Sequence, residues 1–118
     1  MNPNQATWFK NYTLDYLEGL RNANMGVYIG IRFLEVGPDF LKASMPVDHR
    51  TTQPFGILHG GASCVLSETL GSVSAWMTID PEQYRAVGIE INANHIRAVT
   101  QGNVIGVCTP LHVGRRTQ

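Results

Sequence analysis

The chain has 118 residues, with nine Lys plus Arg balanced by nine Asp plus Glu, 43% hydrophobic residues and 15% charged ones. That length fits one domain, residues 1–118, able to bury roughly two-thirds of its unfolded surface around a single core. The zero net charge argues against a nucleic-acid partner, and the composition excludes collagen-like, disordered and disulfide-framework classes.

Cys64 and Cys108 stand outside any CxxC motif, which is the usage of reduced thiols in a reducing compartment. Residues 1–10 lack the basic start and apolar stretch of a secretion signal, and no apolar run approaches the roughly 20 residues of a membrane span. The expectation is a cytoplasmic protein with no membrane partner. From Ile91 to Gln118 there is no Asp or Glu, while Arg97, Arg115 and Arg116 lie there. Such an end could meet phosphates, although three arginines equally make a solvated surface.

In chain order, residues 7–23 read as a helix, with Trp8, Leu14, Leu17 and Leu20 near helical spacing and Thr7 or Asn4 as its cap. Residues 29–36 form the first arm of a hairpin that turns at Gly37-Pro38-Asp39. In the second arm Leu41, Ala43, Met45 and Val47 alternate with polar partners. The longest element runs from His59 to Ile79. Ala62, Val65, Leu66, Thr69, Leu70, Val73, Trp76 and Met77 give it one broad apolar face, and Asp80-Pro81 ends it. At 1.5 Å per residue this is a rod of roughly 30 Å, long enough to lie across a sheet. Val87, Ile89, Ile91 and Ala93 then alternate as in a strand, with a slip in phase before Ile96 that hints at a bulge near His95. Residues 104–113 read as another strand, its later part interrupted by Pro110. The order of elements is that of an α+β layer architecture.

Glu68 sits inside an almost uncharged helical stretch. Its neighbours at i−4, i+3 and i+4 are Cys64, Gly71 and Ser72, all small. A glycine within a helix costs about 1 kcal/mol relative to alanine, so Gly71 needs a reason. Either a ligand or second subunit approaches closely there, or Gly71 is a packing contact and Glu68 a surface carboxylate. The helix start adds weight to the first reading. His59-Gly60-Gly61 leaves backbone N–H groups without helical partners at the positive end of the dipole, a plausible oxyanion hole for a carbonyl under attack. Gly60 and Glu68 are eight residues apart, about 12 Å along one helix. One carbonyl cannot touch both within a monomer, so a real site lies between subunits. Gln53, His59 and Ser72 could orient the reacting groups. Each also has a structural alternative: a loop residue, a helix-start residue bonded to backbone, and a hydroxyl bonded to the i−4 carbonyl. No GxSxG, GxGxxG, P-loop or HExxH motif occurs. His49, His59, His95 and His112 lack metal-ligand spacing, so no metal or other cofactor is expected.

The segment Gln53-Pro54-Phe55-Gly56-Ile57-Leu58-His59-Gly60-Gly61-Ala62-Ser63, followed by Leu66, Glu68 and Leu70-Gly71-Ser72, resembles the hotdog-fold acyl-CoA thioesterases of the 4-hydroxybenzoyl-CoA and phenylacetate-pathway type. Residues 88–95 and 110–115 look like the bacterial branch acting on 1,4-dihydroxy-2-naphthoyl-CoA and on aryl carrier proteins, which would connect the chain with menaquinone biosynthesis. The resemblance covers nearly the whole chain. It implies a hotdog fold, in which an antiparallel sheet wraps a long central helix, and a homodimer or homotetramer. It also implies hydrolysis of an acyl-CoA or acyl-carrier thioester with no cofactor. By the same resemblance Glu68 is the nucleophile or general base, the Gly60 N–H holds the thioester oxygen, His59 and Gln53 orient thioester and water, and Ser72 positions the nucleophile or leaving thiolate. His95, Arg97, Arg115 and Arg116 are candidates for CoA contacts, and Phe55 for the acyl pocket. Family members continue past the position of Gln118 with two more strands, about twenty residues, whose absence would leave residues 87–93 short of partners. A non-catalytic acyl-CoA or acyl-carrier binding protein, an inactive shortened thioesterase, and a dehydratase using His59 with Glu68 are the competing readings.

Overall fold

The computed structural model describes residues 6–118. Its elements are α1 (Leu14–Gly19), α2 (Met25–Tyr28), β1 (Arg32–Val36), β2 (Leu41–Pro46), α3 (Gly60–Met77) and β3 (Asn103–Cys108). The three strands form one antiparallel sheet in the order β1-β2-β3, and α3 packs across its inner face.

The first helix is shorter than its apolar spacing predicts. It starts at Leu14 because Thr13, in an extended conformation, accepts the Tyr16 N–H on its hydroxyl at 3.2 Å and so caps it. Thr7 lies in irregular chain, and Asn4 falls outside the described residues. Residues 7–13 are committed elsewhere: the Phe9 N–H donates to the Met77 carbonyl at 2.8 Å and the Trp8 indole donates to the Gly37 carbonyl at 2.7 Å. These long-range bonds outweigh local helical preference. Helical structure resumes only at Met25, beyond Asn22-Ala23-Asn24.

The hairpin is where the alternation places it. Leu41, Ala43 and Met45 are fully buried on the inner face, while Lys42 points outward and meets Glu35 at 2.7 Å. The pairing of β1 with β2 is irregular between Phe33 and Glu35, where Leu34 is the extra residue. On β3, Gly106 pairs with Ala43. A Cβ at Gly106 would press on Leu70 and Leu66, so two small residues side by side let α3 settle close to the sheet. The core joins Leu66, Leu70 and Met77 of α3 to Leu41, Ala43 and Met45 of β2, with Tyr12, Leu17 and Ile31 alongside.

The expected strand at 87–93 does not form, and neither does the bulge after it: among the described residues no strand occurs between α3 and β3. Alternation alone cannot make a strand, because its backbone groups need a paired strand, and among the described residues none pairs with this segment. Val87 and Ile89 are 84% and 86% exposed. β3 ends at Cys108, two residues before Pro110, as the proline predicts.

Candidate active site

The start of α3 is built by the loop before it. The buried Thr51 hydroxyl donates to the Pro46 carbonyl at 2.7 Å, and its own carbonyl accepts the His59 N–H at 2.8 Å. The Leu58 N–H donates to the Val99 carbonyl at 2.7 Å. Arg50 braces the same loop. Its guanidinium, and then its backbone N–H, hydrogen-bond the Asp48 carboxylate and hold it down to about 2.

His59 is the N-cap of α3. Its Nδ1 accepts the Gly61 N–H at 2.8 Å, so a neutral imidazole here carries its proton on Nε2. The backbone-bonded alternative for His59 is therefore realised, and it leaves a ring N–H still able to donate. As the first helical residue, Gly60 has no intrahelical acceptor for its N–H, and none is recorded for it among the described residues. The His95 ring lies over Gly60: a Cβ there would stand 3.0 Å from His95 Nε2. The structure thus brings His95 to the helix start.

Two turns on, Glu68 is exposed and accepts the Ser72 hydroxyl at 3.2 Å. Ser72 spends its hydroxyl on that carboxylate and not on the i−4 carbonyl. The backbone at Gly88 packs against the same carboxylate, so residues 88–95 run alongside α3 from Glu68 back to Gly60. Gly71 is not a packing contact, since nothing lies within 4 Å of where its Cβ would be. The face carrying Gly61, Ser67 and Glu68 is open.

The remaining candidates lie apart from this centre or are differently engaged. The Gln53 side-chain oxygen accepts the Phe55 N–H, which leaves its amide N–H₂ available. Phe55 is 90% exposed and lines neither of the two cavities described below. Arg97, Arg115 and Arg116 are exposed, with no ion pair recorded among the described residues. No group of His, Cys, Asp and Glu among the described residues is arranged to hold a metal ion.

Sequence reasoning missed a cavity of about 350 Å³ between α3 and the α1–α2 segment. Thr69, Ser72, Val73 and Trp76 form its α3 wall, and Leu17, Leu20, Asn24 and Phe33 stand on the other. Leu17 and Leu20 had looked like an ordinary apolar helix face. The exposure of Leu20, Met25 and Tyr28 after so short a helix is the signal that this face does not simply close on a core. A larger, open cleft of about 720 Å³ lined by Arg21, Arg32 and Arg50 has no α3 residue in its wall and stands apart from Glu68.

An open carboxylate, a helix-start N–H without an intrahelical partner and an apolar cavity are groups that can serve acyl transfer. Residues 55–118 match the family model of the Thioesterase superfamily. The chain is 51% identical over 111 residues to the 1,4-dihydroxy-2-naphthoyl-CoA hydrolase of Escherichia coli K12, covering 94% of this chain and 81% of that protein. It is 50% identical over 111 residues to the proofreading thioesterase EntH of Cronobacter sakazakii, covering 94% and 80%. It superposes on a mutant thioesterase from Pseudomonas aeruginosa with a TM-score of 0.89 at 45% identity, over 92% of this chain and 78% of that one. The chain belongs to the thioesterase superfamily. Its fold is the hotdog fold, and its activity is hydrolysis of acyl-CoA thioesters.

Proposed function

We propose that the chain hydrolyses an aromatic acyl-CoA at a site shared by two subunits. The observation that carries this reading is that Ser72 both hydrogen-bonds Glu68 and lines the apolar cavity, so the carboxylate stands at the mouth of a chamber for the acyl group. At about 350 Å³ the chamber is near the lower end of small-molecule sites, which suits a ring better than a long acyl chain. The similarity to a naphthoyl-CoA hydrolase supports the same choice.

Glu68 takes a proton from water as the water oxygen adds to the thioester carbonyl. The oxyanion formed accepts the Gly60 N–H, with His59 Nε2–H and the Gln53 amide as further donors. Collapse of the intermediate breaks the C–S bond, and Glu68 returns its proton to the departing thiolate. Free acid and CoA result, with no redox change. Because Gly60 and Glu68 are about 12 Å apart on one α3, the carbonyl sits between Gly60 of one chain and Glu68 of another. The open space at Gly71 and the bare apolar residues at 87 and 89 give a second copy a surface to meet, in a dimer that can pair into a tetramer. His95 borders this oxyanion pocket, whereas Arg97, Arg115 and Arg116 remain candidates for the CoA phosphates. The free cysteines suit a cytoplasmic setting, and among the described residues no helix is long and apolar enough to cross a membrane.

The test is thiol release from benzoyl-CoA by the native chain and by Glu68→Gln. Loss of at least about 100-fold in kcat is expected for the variant. Undiminished turnover would remove Glu68 from the chemistry.

A further inference from the structure

Glu68 is exposed, yet its carboxylate is not loose on the helix surface, because two groups meet the same oxygen. The Ser72 hydroxyl, one turn along α3, donates to Oε1 at 3.2 Å. From the other side the backbone at Gly88 lies so close to Oε1 that a Cβ there would overlap it. That Cβ would stand 3.5 Å from the carboxyl carbon and 3.8 Å from Oε2, so the crowding falls on Oε1. Backbone conformation does not explain the glycine. Among the described residues the glycines with positive φ are Gly30, Gly56 and Gly102, and residue 88 takes a φ open to other residues. The nearest atoms to a Cβ at 88 all belong to the Glu68 carboxyl group. A glycine set among alternating side chains marks a close approach by another group, and here that group is the proposed general base.

We propose that Gly88 is a positioning residue for the hydrolysis. Lacking a side chain, it leaves a seat in which Oε1 is held beside Ser72 and Oε2 is turned to the attacking water. This rests on the reading of Glu68 as the general base. A methyl group at 88 would move the carboxylate and not the chain, since the tip of a flexible side chain passes to another rotamer more readily than backbone shifts. Folding loses little, because both residues are exposed. The oxygen that takes the water proton loses its place, and a misplacement of about 1 Å can cost about 100-fold in rate.

The experiment measures kcat and KM for benzoyl-CoA, together with thermal midpoints, for the native chain, Gly88→Ala, Glu68→Asp, the double variant and Glu68→Gln. Gly88→Ala is expected to keep the native midpoint and, within about twofold, the native KM, while kcat falls at least about tenfold. Aspartate is one methylene shorter and withdraws from residue 88. The double variant should therefore be no slower than Glu68→Asp alone, a non-additive cycle. The proposal is overturned by a Gly88→Ala chain with native kcat, with a lowered midpoint, or with its loss expressed in KM. Losses that multiply in the double variant also overturn it, since they mark a methyl group that obstructs the acyl-CoA directly. In each of these cases an inactive Glu68→Gln chain leaves the parent reading intact. Undiminished turnover by Glu68→Gln overturns the parent reading and this one together.

Discussion

A methyl group at Gly60 would stand 3.0 Å from Nε2 of His95, tighter than ordinary van der Waals contact, and His95 would have to give way. Helical propensity favours alanine over glycine by about 1 kcal/mol, so Gly60→Ala tests space against stability. Thermal unfolding should be nearly unchanged, while kcat/KM on an aryl-CoA should drop by about 100-fold, the cost of a displaced reacting group. Tyr12 poses a different residue-scale question. Its hydroxyl is buried with no partner among the described residues, and burial pushes its pKa above the ordinary value while nearby Lys10 pulls it down. An unpaired buried hydroxyl costs about 1–3 kcal/mol. Tyr12→Phe should therefore match or exceed native stability in urea unfolding. Because the folded-state pKa is raised, the native chain should lose stability relative to the variant as pH climbs above about 10. Asp48 shows the opposite sign. Arg50 holds its carboxyl at about 2, below its ordinary 3.8, so its contribution is present above about pH 4 and is lost as the pH falls toward 2. An NMR titration of Asp48 should place its midpoint near 2 in the native chain and near the ordinary value in Arg50→Ala.

Among the elements, α3 and β2 were legible because their patterns are satisfied inside the chain. Leu66, Leu70 and Met77 find β2 and β3, and the alternation of Leu41, Ala43 and Met45 finds α3. The helix predicted at 7–23 was not legible. Its first half is held by the Trp8 and Phe9 bonds to Gly37 and Met77, partners distant in sequence that no local window contains. The strand predicted at 87–93 carries the right alternation, but pairing is a property of two segments, and no described residue pairs with this one. The site divides in the same way. His59, Gly60, Glu68 and Ser72 share one helix, so spacing alone relates them. His95 beside Gly60, and the cavity wall across from α3, are brought in by tertiary packing. The α3–sheet contact carries its own prediction. Leu70 is 3% exposed and packs over Gly106. Leu70→Ala should cost about 2–5 kcal/mol in denaturant unfolding, from lost burial plus a cavity. Gly106→Val should cost about 1–3 kcal/mol from overpacking at the same place.

At the scale of the whole molecule the decisive quantity is the separation of Gly60 and Glu68 along a rigid helix, about 12 Å. A hydrogen bond spans about 3 Å, so no side-chain rearrangement lets both act on one carbonyl within one chain. In the isologous dimer proposed above, each of two sites takes a Gly60 from one chain and a Glu68 from the other. The arrangement predicts complementation between inactive variants. On that proposal a Glu68→Gln homodimer has no functional carboxylate, and a Gly60→Val homodimer has no accessible oxyanion N–H. In a mixed dimer, one site joins the intact Gly60 of the first chain to the intact Glu68 of the second, and the other site carries both defects. Equal amounts of the two variants, unfolded together and refolded, should form mixed dimers in half of the population with one working site of two, restoring about a quarter of native thiol release. Refolding either variant alone should restore none. If both groups acted from a single chain, the mixture would stay as inactive as its components. The recovered activity therefore reads out directly whether the catalytic unit is one chain or two.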